Sequence, residues 1–248
     1  MDHQELVRLY GPWAARTPAD AVALFEGYTG RWWIAGGWAI EAFTGVSRPH
    51  GDIDPSIPRT DVDALIEHVR GRLDVWAADR GALRPLIPGG PTLSASCSNL
   101  WLRASGRDPW EFDVILMDID VEADVDAEAD TDTGTDTDTD TDAYTDADAD
   151  TDTGTDTDAD MEAADGLWRY KRDPRVTLPF AQILWQREGV SYLRPEIQLL
   201  HKAPGLRDQD QADFDVTRPL LDVHAQTWLR SALQLAHPGH PWIEHLAG

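Results

Sequence analysis

The chain has 248 residues, 42% of them apolar and eleven of them Trp, yet it carries 45 acidic against 21 basic residues and a formal charge of −24. The apolar share and the tryptophans argue for a packed core, so the charge must be concentrated somewhere instead of spread over the chain. A single cysteine, Cys97, excludes an internal disulfide framework. The longest uncharged apolar stretch, Trp32 to Ile40, falls far short of the ~20 residues of a membrane helix, and no basic stripe marks a nucleic-acid groove.

In chain order, residues 2–10 and 18–28 read as short helices, with Thr17 as N-cap and Pro18 at the first helical position of the second. Acids at Asp2, Glu5, Asp20 and Glu26 give the N-terminus no signal-peptide character, and the expected location is the cytoplasm. Arg31-Trp-Trp-Ile-Ala reads as a buried strand running into Gly36-Gly37, and Trp38–Phe43 has helical spacing. Asp52-Ile-Asp-Pro-Ser-Ile reads as a second strand, and Thr60 as the cap of a helix reaching about Gly71. Short strands are expected near 73–77, 97–103 and 110–117.

Next comes the source of the charge. From Asp118 to Glu162 every even-numbered residue is acidic except Gly134, Tyr144 and Gly154, and no Lys or Arg occurs. Taking these 20 acids from the 45 leaves 25 against 21 bases, a net charge near −4. The period of two matches a strand, but one face would carry only like charge, and the Thr and Ala between the acids offer little to bury. The tract is therefore expected to be a disordered insert without chemistry. Beyond it, Leu167–Arg172 and Val190–Leu193 read as strands. Helices are expected from Pro195, from Gln209 to Leu221, and from Val223 to about Leu235.

The chemistry-bearing segment is Ile34-Ala-Gly-Gly-Trp-Ala-Ile-Glu followed by Arg48-Pro-His-Gly-Asp-Ile-Asp. Carboxylates at i and i+2 of an extended chain share a face, and such a pair can hold two divalent cations about 3.5–4 Å apart, as phosphoryl and nucleotidyl transfer require. A glycine pair between strand and helix lets the backbone approach a phosphate. Asp113 fits the third carboxylate, with Glu111 its competitor on the same strand face. Asp-x-Asp also occurs at Asp61/Asp63, Asp208/Asp210 and Asp213/Asp215, which read as helix-start or surface acids. Asp52 and Asp54 stand apart because Ile53 and Ile57 place them in a segment to be buried, where unpaired acids are costly.

Gly36-Gly37 followed by Arg48-x-His-x-Asp-Ile-Asp resembles the nucleotidyltransferase superfamily with the polymerase-β-type catalytic fold. The Trp32-Trp-Ile-Ala-Gly-Gly-Trp-Ala block narrows the resemblance to the aminoglycoside 2″-adenylyltransferase-like and lincosamide nucleotidyltransferase-like group. Tyr192-Leu-Arg-Pro-Glu-Ile-Gln-Leu-Leu-His-Lys-Ala and Asp210-Gln-Ala-Asp-Phe are similar to the C-terminal part of such proteins. The likeness covers about 31–117 and 167–245. It implies that Asp52, Asp54 and Asp113 are catalytic and bind two Mg²⁺ ions, with Asp113 able to accept the acceptor's proton. Gly36 and Gly37 would pack against the triphosphate, and Arg48, His50 and Lys202 would join them in binding it. Asp210 and Asp213 are expected to brace helices. Pro55 departs from the pattern, because proline should end a strand or confine it to an edge.

The expected architecture is an α/β (α+β) protein. A mixed-sheet nucleotidyltransferase-like core over 1–193, interrupted by the insert at 118–162, precedes a helical C-terminal region over 194–248. The expected partners are an NTP, ATP foremost, and a small hydroxyl-bearing acceptor such as an aminoglycoside-type antibiotic, with no membrane and no nucleic acid. Competing readings are a toxin-type nucleotidyltransferase acting on tRNA or protein, and a non-catalytic nucleotide- or metal-binding protein.

Overall fold

A computed structural model of the protein describes residues 3–87, 89–90, 92–120 and 166–247. Helices α1 (His3–Tyr10) and α2 (Pro18–Leu24) lead. The Thr17 N–H and hydroxyl both donate to the Asp20 carboxylate, at 2.8 and 2.7 Å, tying off the first turn of α2. That helix ends before the expected residue 28, because the chain turns through Gly27 at φ 75°. Then follow β1 (Trp33–Ile34), α3 (Gly36–Thr44), β2 (Pro55–Pro58), α4 (Val62–Val69), β3 (Asp74–Asp79), β4 (Ala82–Pro85), β5 (Asn99–Arg103) and β6 (Phe112–Met117). The remaining strands are β7 (Ile119–Asp120), β8 (Leu167–Arg169), β9 (Thr177–Pro179), β10 (Leu184–Arg187) and β11 (Val190–Leu193). Three helices close the chain, α5 (Pro195–Lys202), α6 (Asp208–Thr217) and α7 (Val223–Ala236).

Eight strands form one mixed sheet in the order β10-β11-β1-β2-β6-β5-β3-β4, and β7, β8 and β9 form a second, antiparallel one. In the large sheet β1 runs parallel to β11 and β2 parallel to β6, while the other neighbours are antiparallel. Strand alternation sorts its side chains. Ile34, Ile57, Val114 and Leu116 join α2 and α4 in one apolar cluster, whereas Trp33, Ile115 and Met117 pack with the second sheet and α5–α7. Asp113 shares the face of Ile115 and Met117, and of Trp101 opposite it on β5.

The mixed α/β architecture agrees with the sequence reading, but several details differ. Pro55 neither ends a strand nor sits at an edge: it opens β2, an interior strand between β1 and β6. A first-position proline lacks only its own N–H, and the ladder beside it continues through the Asp54 carbonyl, which accepts from the Ala35 N–H at 2.9 Å. Asp52 and Asp54 therefore precede the strand instead of lying within it. A 3₁₀ turn over Arg59–Asp61 makes Asp61, not Thr60, the residue before α4. Strands β4, β7, β9 and β10 were not expected. Two of them are hairpin partners made by Arg80-Gly81 (φ 51° and 76°) and Glu188-Gly189 (φ 52° and 80°), the left-handed pairs that tight hairpins need. Helix α6 stops at Thr217, ahead of a 3₁₀ turn containing Pro219, and so does not reach Leu221.

The boundary of the acidic tract also moves. Asp118 pairs with Arg59 at 2.5 Å, Ile119 is buried, and Asp120 stands opposite Leu167 and pairs with Arg169. Residues 118–120 are thus part of the fold, and the rest of the expected disordered insert, 121–162, lies outside the described residues. Among the described residues no helix is long and apolar enough to cross a membrane.

Candidate active site

Three backbone-directed hydrogen bonds hold the Asp52–Asp54 segment. The Trp38 indole N–H donates to the Asp52 carbonyl at 3.2 Å, the Asp113 N–H to the Ile53 carbonyl at 3.3 Å, and the Ala35 N–H to the Asp54 carbonyl at 2.9 Å. The segment is extended, and Ile53 is driven fully into the core, so the two flanking carboxylates turn together to the opposite side. Asp52 is exposed, while Asp54 and Asp113 are half-buried.

Their charges act on one another. Burial raises the Asp54 carboxyl well above its usual value, and the neighbouring Asp52 and Asp113 carboxylates raise it further, against the pull of Lys202 and Arg207. Asp113 is pushed up to about 7 by burial and by Asp52, despite hydrogen bonds from the Asn99 amide (2.8 Å) and the Trp101 indole. Burial is the larger cause at both carboxyls, and the like charges beside them add to it. The structure thus brings together Asp52, Asp54 and Asp113. Glu111, the competitor, is instead ion-paired to Arg16, which also contacts Asp20.

Carboxylate oxygens are the donors a hard divalent cation takes. As the side chains stand, no group of three or more His, Cys, Asp or Glu among the described residues is arranged to hold a metal ion, and Asp52, Asp54 and Asp113 are linked by the action of their charges on one another.

The glycine pair forms the first turn of α3. Gly36 has φ 69°, and a Cβ there would collide with the Asp54 carboxylate; its N–H donates to the buried Gln198 side chain at 2.7 Å. A Cβ at Gly37 would strike Arg48 and His50. Gly36 is thus required by its positive φ and by the protein's own packing, whereas at Gly37 the Arg48 side chain would have to give way. Arg48 forks onto Asp213 (3.1 and 3.2 Å), and His50 stacks on Trp38 at 4.0 Å and pairs with Glu41 at 2.7 Å. Burial pushes the Glu41 carboxyl up, but hydrogen bonds from His50, the Arg48 N–H and Ser47 outweigh it and hold the group below its ordinary value.

Lys202 lies in the interior, clamped between Asp210 (3.3 Å) and Asp213 (2.8 Å). Asp210 and Asp213 brace helices, as expected, and through Arg48 and Lys202 they tie α6 to the segment before Asp52. Sequence reasoning gave no role to Asn99, Gln198, Trp38, Glu41 or Arg207. Trp38, Glu41 and Gln198 stand inside the chemistry-bearing segment or the blocks that carry the resemblance, and Asn99 on an expected strand, whereas Arg207 left no signal.

A cavity of about 310 Å³ opens at Asp113, lined also by Tyr10, Asp79, Asn99 and Trp101. A larger one of about 720 Å³ lies between α4 and residues 86–95 and contains none of the three acids. Its size does not make it the site, because the chemistry-bearing groups are elsewhere.

No protein-family model and no curated protein sequence matches this chain. Among solved structures it is similar to the lincosamide antibiotic adenylyltransferase LnuA in its lincomycin-bound crystal structure, with 15% identity over 82% of this chain and 95% of that one and a TM-score of 0.44. It is similar to ANT(2″)-Ia in complex with adenylyl-2″-tobramycin, with 13% identity over 86% of this chain and 93% of that one and a TM-score of 0.45. It is also similar to the solution structure of the antibiotic-resistance factor ANT(2″)-Ia, with 14% identity over 94% of this chain and 93% of that one and a TM-score of 0.45.

Proposed function

We propose that this protein is a magnesium-dependent nucleotidyltransferase that moves a nucleoside monophosphate, AMP by preference, from an NTP to a hydroxyl of a small molecule. The observation that carries the reading is the meeting of Asp52, Asp54 and Asp113 beside the glycine-led start of α3, with two of the three carboxyls held above their ordinary range. Carboxyls raised by burial and by one another mark a site suited to a ligand of opposite charge.

Asp52, Asp54 and Asp113 would hold Mg²⁺, which when bound supplies positive charge to the nucleotide phosphates. Asp113, half-buried and poised near neutrality, is suited to take the proton of the acceptor hydroxyl. Its orientation is set by hydrogen bonds from the Asn99 amide and the Trp101 indole. Arg48 and His50 keep the approach to Asp52 rigid through Asp213 and Glu41, so the carboxylates do not reorganise when a nucleotide arrives. The acceptor would enter the cavity beside Asp113, where Asp79 and Arg80 supply charges of both signs and Tyr10 and Trp101 an aromatic wall. That lining suits a polar, hydroxyl-bearing ring, and an aminoglycoside-type antibiotic is the acceptor proposed from the resemblance.

Pyrophosphate release from four NTPs, measured with Mg²⁺ against aminoglycosides, lincosamides and plain sugars, tests the reading. Release should vanish in Asp52→Ala and Asp54→Ala while far-ultraviolet circular dichroism stays native. Undiminished release in either variant would sink the assignment.

A further inference from the structure

The stretch Leu167–Arg172 places three cations within four residues of a strongly acidic chain, and the proposed reaction uses none of them. Alternation along β8 and into the turn after it drives Trp168 and Tyr170 into the core, each 1% exposed. Arg169, Lys171 and Arg172 are left outside. Together these residues wall a cavity of about 350 Å³ that also touches Ile115 and Met117 of β6.

Its position follows from the strand register. Ile115 stands two residues beyond Asp113 on the same face of β6, about 7 Å along the strand. It is also directly opposite Asn99, which lines the separate cavity at Asp113. The two cavities therefore flank the Asn99–Ile115 pair on one face of the sheet.

Charge gives the cavity its chemistry. Its one acid, Asp118, is spent on Arg59 at 2.5 Å, and Arg169 is spent on Asp120. Lys171 donates to the neutral Ser98 hydroxyl, and neither it nor Arg172 has a carboxylate partner among the described residues. A further wall is His201, edge-on to the rings of Trp168 and Tyr170, with a buried Nε2 that has no hydrogen-bond partner. Burial, with Arg172 and Lys171 nearby, pushes this imidazole down to about 4, so at neutral pH it adds a ring and no charge. The result is an apolar and aromatic pocket with two exposed, unneutralised cations. Such a lining fits a small apolar body bearing a carboxylate or phosphate, and it disfavours an amine.

We propose that this cavity is a second ligand site, which takes a small organic anion through Lys171 and Arg172, with the apolar body against Ile115, Met117 and the His201 ring. The site does not depend on the nucleotidyl-transfer reading, although its ligand would lie beside the acceptor cavity. The acid group belongs either to the acceptor itself or to a separate organic acid, and both would be recognised by the same cations.

Calorimetry in EDTA with salicylate, phenyl phosphate and the neutral salicylamide tests the site, because the metal-free acids around Asp113 repel the two anions. The native protein should bind the anions and should bind salicylamide at least about tenfold more weakly. Lys171→Ala combined with Arg172→Ala should weaken the anions by about tenfold or more. Lys171→Glu combined with Arg172→Glu should abolish their binding and leave salicylamide unchanged. Both residues are exposed, so the unfolding temperature should move little. Salicylate added to the pyrophosphate-release assay then separates the two sources: competition with the acceptor assigns the acid group to the acceptor, and its absence assigns it to a separate ligand. Failure of both anions to bind the native protein, equal binding of salicylamide, or undiminished binding in the double variants would overturn the site. A protein that binds these anions yet releases no pyrophosphate keeps the site and loses the nucleotidyl-transfer reading.

Discussion

Replacing Asp113 with asparagine should make the metal-free protein more stable and inactive at once. The carboxyl has an ordinary value of 3.8 and about 7 in the fold, so the folded state binds more protons than the unfolded one between those limits. Its linkage term therefore lowers stability as pH rises through that window, opposite to the usual behaviour of a salt-bridged aspartate. Full conversion gives at most about 4 kcal/mol at neutral pH. The group is partly solvent-facing, and screening brings the expected gain to about 1–3 kcal/mol. Asparagine keeps an oxygen for the Asn99 amide and removes the negative charge facing Asp52 and Asp54. At about 2–4 °C per kcal/mol for a chain of this size, Asp113→Asn should melt roughly 2–12 °C above the native protein at pH 8 in EDTA. The gap should close toward pH 4, and Mg²⁺ should narrow it by stabilising the native protein alone. Melting curves across pH 4.5–8.5, with and without Mg²⁺, measure this. A variant that is no more stable at pH 8, or a gap that ignores pH, would refute the idea that these carboxylates strain against one another.

Other expectations follow from single contacts. Gly36→Ala must place a Cβ against the Asp54 carboxylate at a positive φ, costing about 2–4 kcal/mol in denaturant unfolding and abolishing activity; a native-like midpoint would contradict the packing. Asn99→Ala removes a hydrogen bond that favours the charged form of Asp113, so the acidic limb of the pH–rate profile should move to higher pH; an unmoved limb would separate Asp113 from proton transfer. Lys202→Met leaves two buried aspartates short of a partner and should cost about 2–4 kcal/mol, moderated by Arg48 and Arg207; chemical denaturation reads it. Joining Asp120 to Gly166 by a short hairpin loop should leave folding intact and raise stability by up to about 2 kcal/mol, because a shorter connection closes between the paired strands β7 and β8. Calorimetry on that variant should still show Mg²⁺ binding that Asp54→Asn removes.

What could be read from the sequence was local. The i, i+2 spacing of Asp52 and Asp54 around a buried isoleucine, and the alternation that puts Asp113 on one face of β6, each depend on a few adjacent residues. The pattern of helices after Pro195 was legible for the same reason. Glu111 could not be separated from Asp113, because the choice depends on Arg16, 95 positions away, which occupies Glu111. The burial of Lys202 between Asp210 and Asp213 was hidden for a similar cause: it is decided by how α5 and α6 pack against α3, which no spacing encodes. Pro55 misled because a rule about strand interiors was applied to a strand's first residue. The three described residues at the head of the acidic tract read as composition, yet Arg59, Arg169 and the apolar cluster around Ile119 draw them into the fold.

The most direct measurement follows the phosphorus. ATP labelled at its α-phosphate, incubated with the protein, Mg²⁺ and an accepting compound, should pass its label to that compound, while a γ-label should leave entirely in pyrophosphate. Label from the γ-position on the acceptor would make the reaction phosphoryl transfer and contradict the account built on Asp52, Asp54 and Asp113.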